Sequence, residues 1–241
     1  MTVSFLIKDA SFPASVPLFD LPDADKCRVF AVIGGSLARS MANYGSAGKG
    51  VVIGNPRIER NGLYLDKNNY LRFPTGTLST SSITQFVAFR SPATPSLAGL
   101  TNLWGSALLV NDSNRRRISL TTSSSLTQVY TSTPTGSDAE TNRGLNSNTA
   151  YVLSFSRNGN GIASGALRLH SADGTILRSG EIPAIAPALS YSADTVLDVG
   201  PSTADNAASI LIGSVGLWSG LLDDATTVKI AAVAARASGL F

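Results

Sequence analysis

The run from Ile210 to Gly220, ILIGSVGLWSG, constrains this chain more than any other stretch. Its first half alternates as a buried strand does and ends at an aromatic anchor, Trp218, which is assigned to the core. The residues behind it, LLDDATTVKIAAVAAR, switch to helical spacing. Val228, Ala231, Ala232 and Ala235 share one face at i, i+3, i+4 and i+7, and small residues there let a helix lie close to a sheet. Asp223 is the expected N-cap, and Asp224 suits the positive end of the helix dipole. A chain of short strands that closes on one strand and one short helix has few architectures open to it.

Composition narrows the class further. The chain has 241 residues, enough to bury a substantial core. Hydrophobic residues make up 43% and charged residues 15%, which excludes a disordered chain. No apolar run reaches the roughly 18 residues of a membrane span, so no membrane insertion is expected. The net charge of +3 is too mild for a nucleic-acid binder. The start, MTVSFLIKDASFP, has no basic lead, no long apolar core and no small-residue cleavage site, so no signal peptide is expected. Cys27 is the only cysteine and His170 the only histidine. An intrachain disulfide is therefore excluded, and a zinc site lacks ligands.

Taken in order, residues 1–25 form an extended N-terminal segment, broken by Pro13, Pro17 and Pro22, with a strand over Thr2 to Lys8. Asp20, Asp23 and Asp25 cluster there and read as a polar turn, because the glycine and glutamate of a calcium loop are missing. Residues 26–241 read as one domain. Cys27 to Ile33 and Val51 to Ile53 are strands, with one helical turn between Ala38 and Tyr44. Gly62 to Phe73, GLYLDKNNYLRF, reads as a hairpin around Asp66 to Asn69. Ser82 to Phe89 is a central strand by its β-branched and aromatic content. Leu103 to Val110, Ile118 to Thr122 and Leu126 to Thr131 continue the pattern, with a polar turn over Asn111 to Arg117. Thr133 to Asn148 is rich in Ser, Thr, Gly and Asn and reads as a long surface loop. Tyr151 to Arg157 alternates cleanly. Ala166 to His170 and Thr175 to Arg178 flank Asp173-Gly174, a strong hairpin signal. Ile182 to Ser190 carries two prolines and reads as an edge or loop, and Val196 to Val199 is a short strand. Strands spaced by turns, without βα alternation, define an all-β, antiparallel, two-sheet sandwich with a short C-terminal helix.

Three stretches resemble a known family. GLYLDKNNYLRF with SSITQFVAFRS is similar to the opening of a concanavalin A-like jelly roll of the laminin-G type. TAYVLSFSRNGNGIASGALRLHSADGTILRSG resembles its middle hairpin, and ILIGSVGLWSGLLDDATTVKIAAVAA its ending. The likeness runs from about Cys27 to Arg236 and is structural, so it speaks to fold more than to function. It implies a lectin-like domain in which loop aspartates and carbonyls sometimes hold structural calcium. No calcium ligands can be picked out here, and no other cofactor is expected. The Ser/Thr/Asn/Gly-rich composition and short N-terminal extension also resemble a phage or prophage tail-associated protein. That likeness implies a virion location, or an extracellular one after lysis. It also implies other virion proteins as partners, and a homotrimer.

Catalytic chemistry is poorly supplied. Glycan-cutting enzymes of this fold resemble one another in a Glu-x-Asp-x-(x)-Glu strand, where alternation puts the carboxylates on one face. Glu59, Glu140 and Glu181 have no aspartate two residues on, and Asp138 precedes Glu140 within the expected loop. No G-x-S-x-G motif occurs. His170 reads as a partly exposed strand residue and Cys27 as a buried, inert thiol. The expectation is that the chain is not an enzyme.

Binding is the remaining chemistry. Sugars are held by aromatic faces and by planar polar side chains. Asp112, Asn114, Arg115 and Arg116 share one turn, and Arg157 and Asn158 another. Tyr130 and Trp104 read equally as stacking platforms or as core. These residues are the candidate ligand contacts. The leading expectation is a non-catalytic carbohydrate-binding or adhesion module that meets glycan on a bacterial surface. The alternatives are a purely structural virion component and a glycan hydrolase.

Overall fold

A computed structural model describes residues 20–66, 68–76, 82–91, 99–108, 116–123, 126–133, 136–143, 145–146, 148–157, 165–182, 195–200 and 209–241. Over 99–143 the description is of strand backbone. In chain order the strands are β1 Cys27–Val32, β2 Val51–Ile53, β3 Arg57–Glu59, β4 Gly62–Leu65, β5 Tyr70–Pro74, β6 Ile83–Arg90, β7 Gly99–Leu108, β8 Arg116–Ser123, β9 Leu126–Thr133 and β10 Gly136–Arg143. They continue with β11 Ala150–Arg157, β12 Gly165–His170, β13 Ile176–Ile182, β14 Thr195–Val199 and β15 Ile210–Ser219. The helices are α1 Leu37–Met41 and α2 Asp224–Ser238.

Period-2 alternation sends the two faces of each strand to different layers. One sheet has eight strands in the order β13-β12-β11-β6-β15-β4-β3, with β1 pairing along β15 beyond β4. The other has seven, in the order β10-β9-β8-β7-β14-β5-β2. Every strand pairing among the described residues is antiparallel. Between the sheets lies a core that includes Leu63, Phe73, Phe89, Leu153, Leu197 and Val215. The opposite face of the eight-stranded sheet carries Phe30, Phe86, Val152 and Trp218, covered by Ile230, Ala231, Ala234 and Ala235 of α2. The sandwich therefore has a third, helical layer on one side, and Trp218 anchors that layer.

The alternation of β15 slips once, at Gly213, where the register with β6 shifts between Ile212 and Ser214. Ile210 and Ile212 then share the inter-sheet core with Val215 and Leu217. A Cβ on Gly213 would lie 2.7 Å from that of Ser238, so only glycine lets the end of α2 seat there. Asp223 caps the helix as expected, accepting from the Thr226 N–H at 2.7 Å.

Several local expectations are corrected. β4 and β5 do not form a hairpin: they belong to different sheets, and the chain crosses the core edge between them. Leu63 and Leu65 reach the inter-sheet core from one side, Leu71 and Phe73 from the other. Alternation is the same for a hairpin and for such an arch. The turn is held by the Asp66 carboxylate, which accepts from the Asn68 and Asn69 N–H groups. The loop expected over 133–148 contains β10, an edge strand paired with β9. Its polar composition suits an edge and hides the strand from pattern reading. The buried face of α2 is Thr227, Ile230, Ala231, Val233, Ala234, Ala235 and Ser238, rotated from the expected stripe. Val228 and Ala232 lie on its flank, against the β12–β13 turn: a Cβ on Gly174, at φ +88°, would come within 2.2 Å of the Val228 carbonyl. The strand expected over Thr2 to Lys8 and the edge or loop expected at 183–190 lie outside the described residues.

Candidate functional site

The face of the seven-stranded sheet turned away from the core carries a row of polar positions. Leu71, Phe73, Leu197 and Val199 face inward, so Tyr70, Arg72 and Asp198 face out. Asp198 pairs with Arg72 on one side and with Gly105 on the other. Gly105 pairs with Arg117, and Arg117 with Ser132. One register row therefore reads Arg72, Asp198, Gly105, Arg117, Ser132 across five strands. A neighbouring row reads Asn102, Ser119, Tyr130, Glu140.

The described end of this face is tightly organised. The Arg72 guanidinium donates from Nε to Asp198 Oδ1 at 2.7 Å and from a terminal nitrogen to Oδ2 at 2.8 Å. Asp198 is 1% exposed. This fork geometry fixes both side chains, and the hydrogen bond from Arg72 to Asp198 pushes the guanidinium further up from its ordinary value. Arg72 also lies over the Tyr70 ring, 5.6 Å from its centroid. Beside the pair in the register row stands Gly105, which carries no side chain, and beyond it Arg117.

The sequence-stated candidates fall as follows. Asp112, Asn114, Arg115 and Asn158 lie outside the described residues. Arg116 opens β8 and pairs with Ser106, whose other partner is the core residue Leu197. It thus occupies a core-facing register position, and its neighbour Arg117 takes the outer one. Tyr130 sits in the outer row between Ser119 and Glu140. Arg157 closes β11 opposite Ile83. Trp104 pairs with Val199, a core residue. Arg72, Tyr70 and Asp198 were missed. The signal was present, since YLRF and VLDV each place a charge between two inward-facing apolar residues, but only the sheet order brings them together.

The His170 expectation is corrected: the residue is 0% exposed, because α2 covers the end of β12. The Gly174 carbonyl can only accept, so Nδ1–H donates to it at 2.8 Å. Nε2 then accepts from the Ser154 hydroxyl at 2.7 Å. The pair has the contacts of a serine–histidine dyad, yet Ser154 is 3% exposed, and the imidazole ties β11, β12 and the turn at Gly174 together. Burial pushes the imidazole below its ordinary value, the Gly174 carbonyl works against this, and the Arg168 charge lowers it further. The sign follows directly. As pH falls through about 6.5 the unfolded chain binds a proton that the folded one refuses, so stability falls with pH. The slope should be positive, with about 1.4 kcal/mol per pH unit as its ceiling, and should end below the folded value. Urea titrations from pH 7.5 to 4.5 should show this slope, and His170→Gln should flatten it.

Cys27 is buried, as expected, and burial pushes its thiol up to about 12, beyond reach as a nucleophile. Asp23 pairs with Lys26 Nζ at 2.7 Å in a turn. Among the described residues no group of three His, Cys, Asp or Glu could hold a metal ion. No helix among them is long and apolar enough to cross a membrane.

Fold and site together define a two-sheet antiparallel β-sandwich with a polar outer sheet face. No family model and no curated protein sequence matches the chain. Solved structures do. The chain is similar to domain 4 of AbnA, a GH43 extracellular arabinanase from Geobacillus stearothermophilus, in complex with arabinotriose. The TM-score is 0.56 at 16% identity, covering 86% of this chain and 98% of that one. It is similar to Trypanosoma rangeli sialidase in complex with sialic acid, with TM-score 0.60 at 12% identity, covering 86% of this chain and 32% of that one. It is also similar to the binding domain of botulinum neurotoxin DC in complex with SialylT, with TM-score 0.59 at 11% identity, covering 88% and 52%. The chain thus spans about a third of the sialidase chain and half of the toxin chain. At these identities the likeness is one of fold.

Two expectations change. The sandwich is shared with a domain of an arabinanase and part of a sialidase, so the fold and the missing Glu-x-Asp motif do not exclude glycoside hydrolysis. The expectation that the chain is not an enzyme is overturned. Asp138 and Glu140 also stand on a strand, β10, with Asp138 at a register shift between Ser137 and Ala139.

Proposed function

We propose that the protein is a carbohydrate-recognition module whose saccharide lies on the outer face of the seven-stranded sheet. The observation that carries this reading is the locked Arg72–Asp198 fork beside the side-chain-free position at Gly105. A sugar needs planar polar groups held in place before it arrives, an aromatic surface, and room. Arg72, held in place by Asp198, supplies the first, Tyr70 the second, and the side-chain-free position at Gly105 the third. Structures of similar fold are seen with arabinotriose and with sialic acid, which supports the ligand class. We place the glycan on a bacterial surface and the protein in a phage or prophage particle, on the resemblance of its composition to tail-associated proteins.

A glycan array should give saccharide binding that Tyr70→Ala weakens about tenfold, the cost of losing one stacking face. A blank array, or unchanged affinity in that variant, overturns the reading. A blank array together with failed particle assembly on deletion would favour a structural virion component instead. A second reading rests on β10. Asp138 and Glu140 lie two residues apart beside Tyr130, and a bulge at an edge often re-aims a side chain toward chemistry. Release of reducing ends from a bacterial polysaccharide, abolished by Glu140→Gln, would establish hydrolysis.

A further inference from the structure

Strand β3 ends the eight-stranded sheet, and among the described residues it pairs only with β4. Arg57 lies opposite Tyr64, Ile58 opposite Leu63 and Glu59 opposite Gly62. Only Arg60 and Asn61 separate Glu59 from Gly62, so that closing pair is of the hydrogen-bonded kind. Alternation makes Arg57 and Tyr64 the next such pair. The N–H and C=O of Ile58 therefore point the other way, out of the open edge of the sheet. All three residues of β3 are exposed, Ile58 by 44%. An unpaired edge of this kind is a template for another strand.

Charge usually protects such an edge, and charges of one sign also repel a second copy of the same strand. In β3 the two charges have opposite signs and flank Ile58 symmetrically. Leu63 and Leu65 face the inter-sheet core, so Tyr64 faces out. The Arg57 guanidinium lies over the Tyr64 ring, 3.8 Å from its centroid, and so shares that outer face. Glu59 is on the same face, its Oε1 3.5 Å from Arg57 Nε. The two side chains are 66% and 47% exposed, so their contact within one chain is weak and leaves both open to further partners.

Set antiparallel against itself with Ile58 opposite Ile58, β3 places Arg57 of each copy opposite Glu59 of the other. The two isoleucines then exchange their outward N–H and C=O groups in a pair of hydrogen bonds. The charges fall at the non-hydrogen-bonded positions, where facing side chains lie closest. We propose that β3 is the contact of a two-fold dimer whose partner is a second copy of this chain, the two eight-stranded sheets joining into one. The contact is isologous and closes at two copies rather than three. Its axis stands perpendicular to the joined sheet, so both copies turn the outer face of the seven-stranded sheet to the same side. A glycan-coated surface would then meet two binding faces at once, although the pairing itself does not depend on that use. A three-residue strand buries less than the roughly 1,600 Å² of a standard interface, so the dimer is a weak one that forms with rising concentration.

Sedimentation equilibrium of the full chain from about 10 μM to about 1 mM should show the average mass rising from one chain towards two. Arg57→Glu and Glu59→Arg each set like charges opposite one another across the axis. Each variant alone should associate about tenfold more weakly or worse, since two attractive cross-strand pairs become repulsive. An equimolar mixture of the two variants should recover the dimer, because every facing pair again has opposite signs. Melting curves should confirm that both variants fold, as their exposure leads one to expect. A wild-type chain that stays monomeric across the range overturns the proposal without any variant. So do single variants that associate like wild type, a mixture that stays monomeric, or a mass that climbs to three chains.

Discussion

Trp218→Ala is expected to destabilise the fold by about 3–5 kcal/mol, the largest single-residue effect in the molecule. The indole is 0% exposed. It meets Phe86 edge-on at 5.4 Å and Phe30 at 6.2 Å, and its Nε1–H donates to the Pro22 carbonyl at 3.1 Å. Truncation would open a large cavity between β15 and α2 and remove the tie to the segment before β1. The small side chains of α2 cannot collapse far enough to fill it. Chemical denaturation should show the loss, with Trp218→Phe recovering a good part of it. A near-wild-type midpoint for the alanine variant would show that the helical layer contributes little.

Arg72→Ala should cost about 3 kcal/mol, because it leaves the Asp198 carboxylate buried without its counter-ion. Asp198 is almost fully enclosed, whereas the Arg72 side chain is 27% exposed, so the arginine is the partner water can most easily replace. Arg72→Ala with Asp198→Ala should be less damaging than the sum of the single changes, since the double variant strands no charge. Additive effects would mean that the fork contributes nothing as a pair. The same single variant should also abolish saccharide binding on the outer face, where Arg72 orients both Asp198 and Tyr70.

Legibility followed the physics of each residue. Trp218, the Asp223 cap and the central strand 82–89 could be read because their signals are local: alternation, capping and side-chain volume act within a few residues. The hairpin at Asp173-Gly174 was visible for the same reason. β10 was not, because a polar edge strand takes its stability from ladder bonds to β9 rather than from a buried apolar face. His170 was misplaced because its burial comes from α2, more than fifty residues away in the chain. The Arg116–Arg117 pair read as a single wet turn, whereas one strand position separates them onto opposite faces.

From the sequence alone came the class of architecture, an antiparallel all-β sandwich closed by a short helix, because periodicity and turn chemistry are encoded residue by residue. Which strands share a sheet was settled only in three dimensions. β4 and β5 have the same pattern whether they turn back or cross over, and the choice depends on burying both apolar faces in one core. That choice sets the sheet order, and the sheet order places Asp198 between Arg72 and Gly105. Sites built across strands distant in sequence leave no local trace, because no single stretch contains the energy that assembles them.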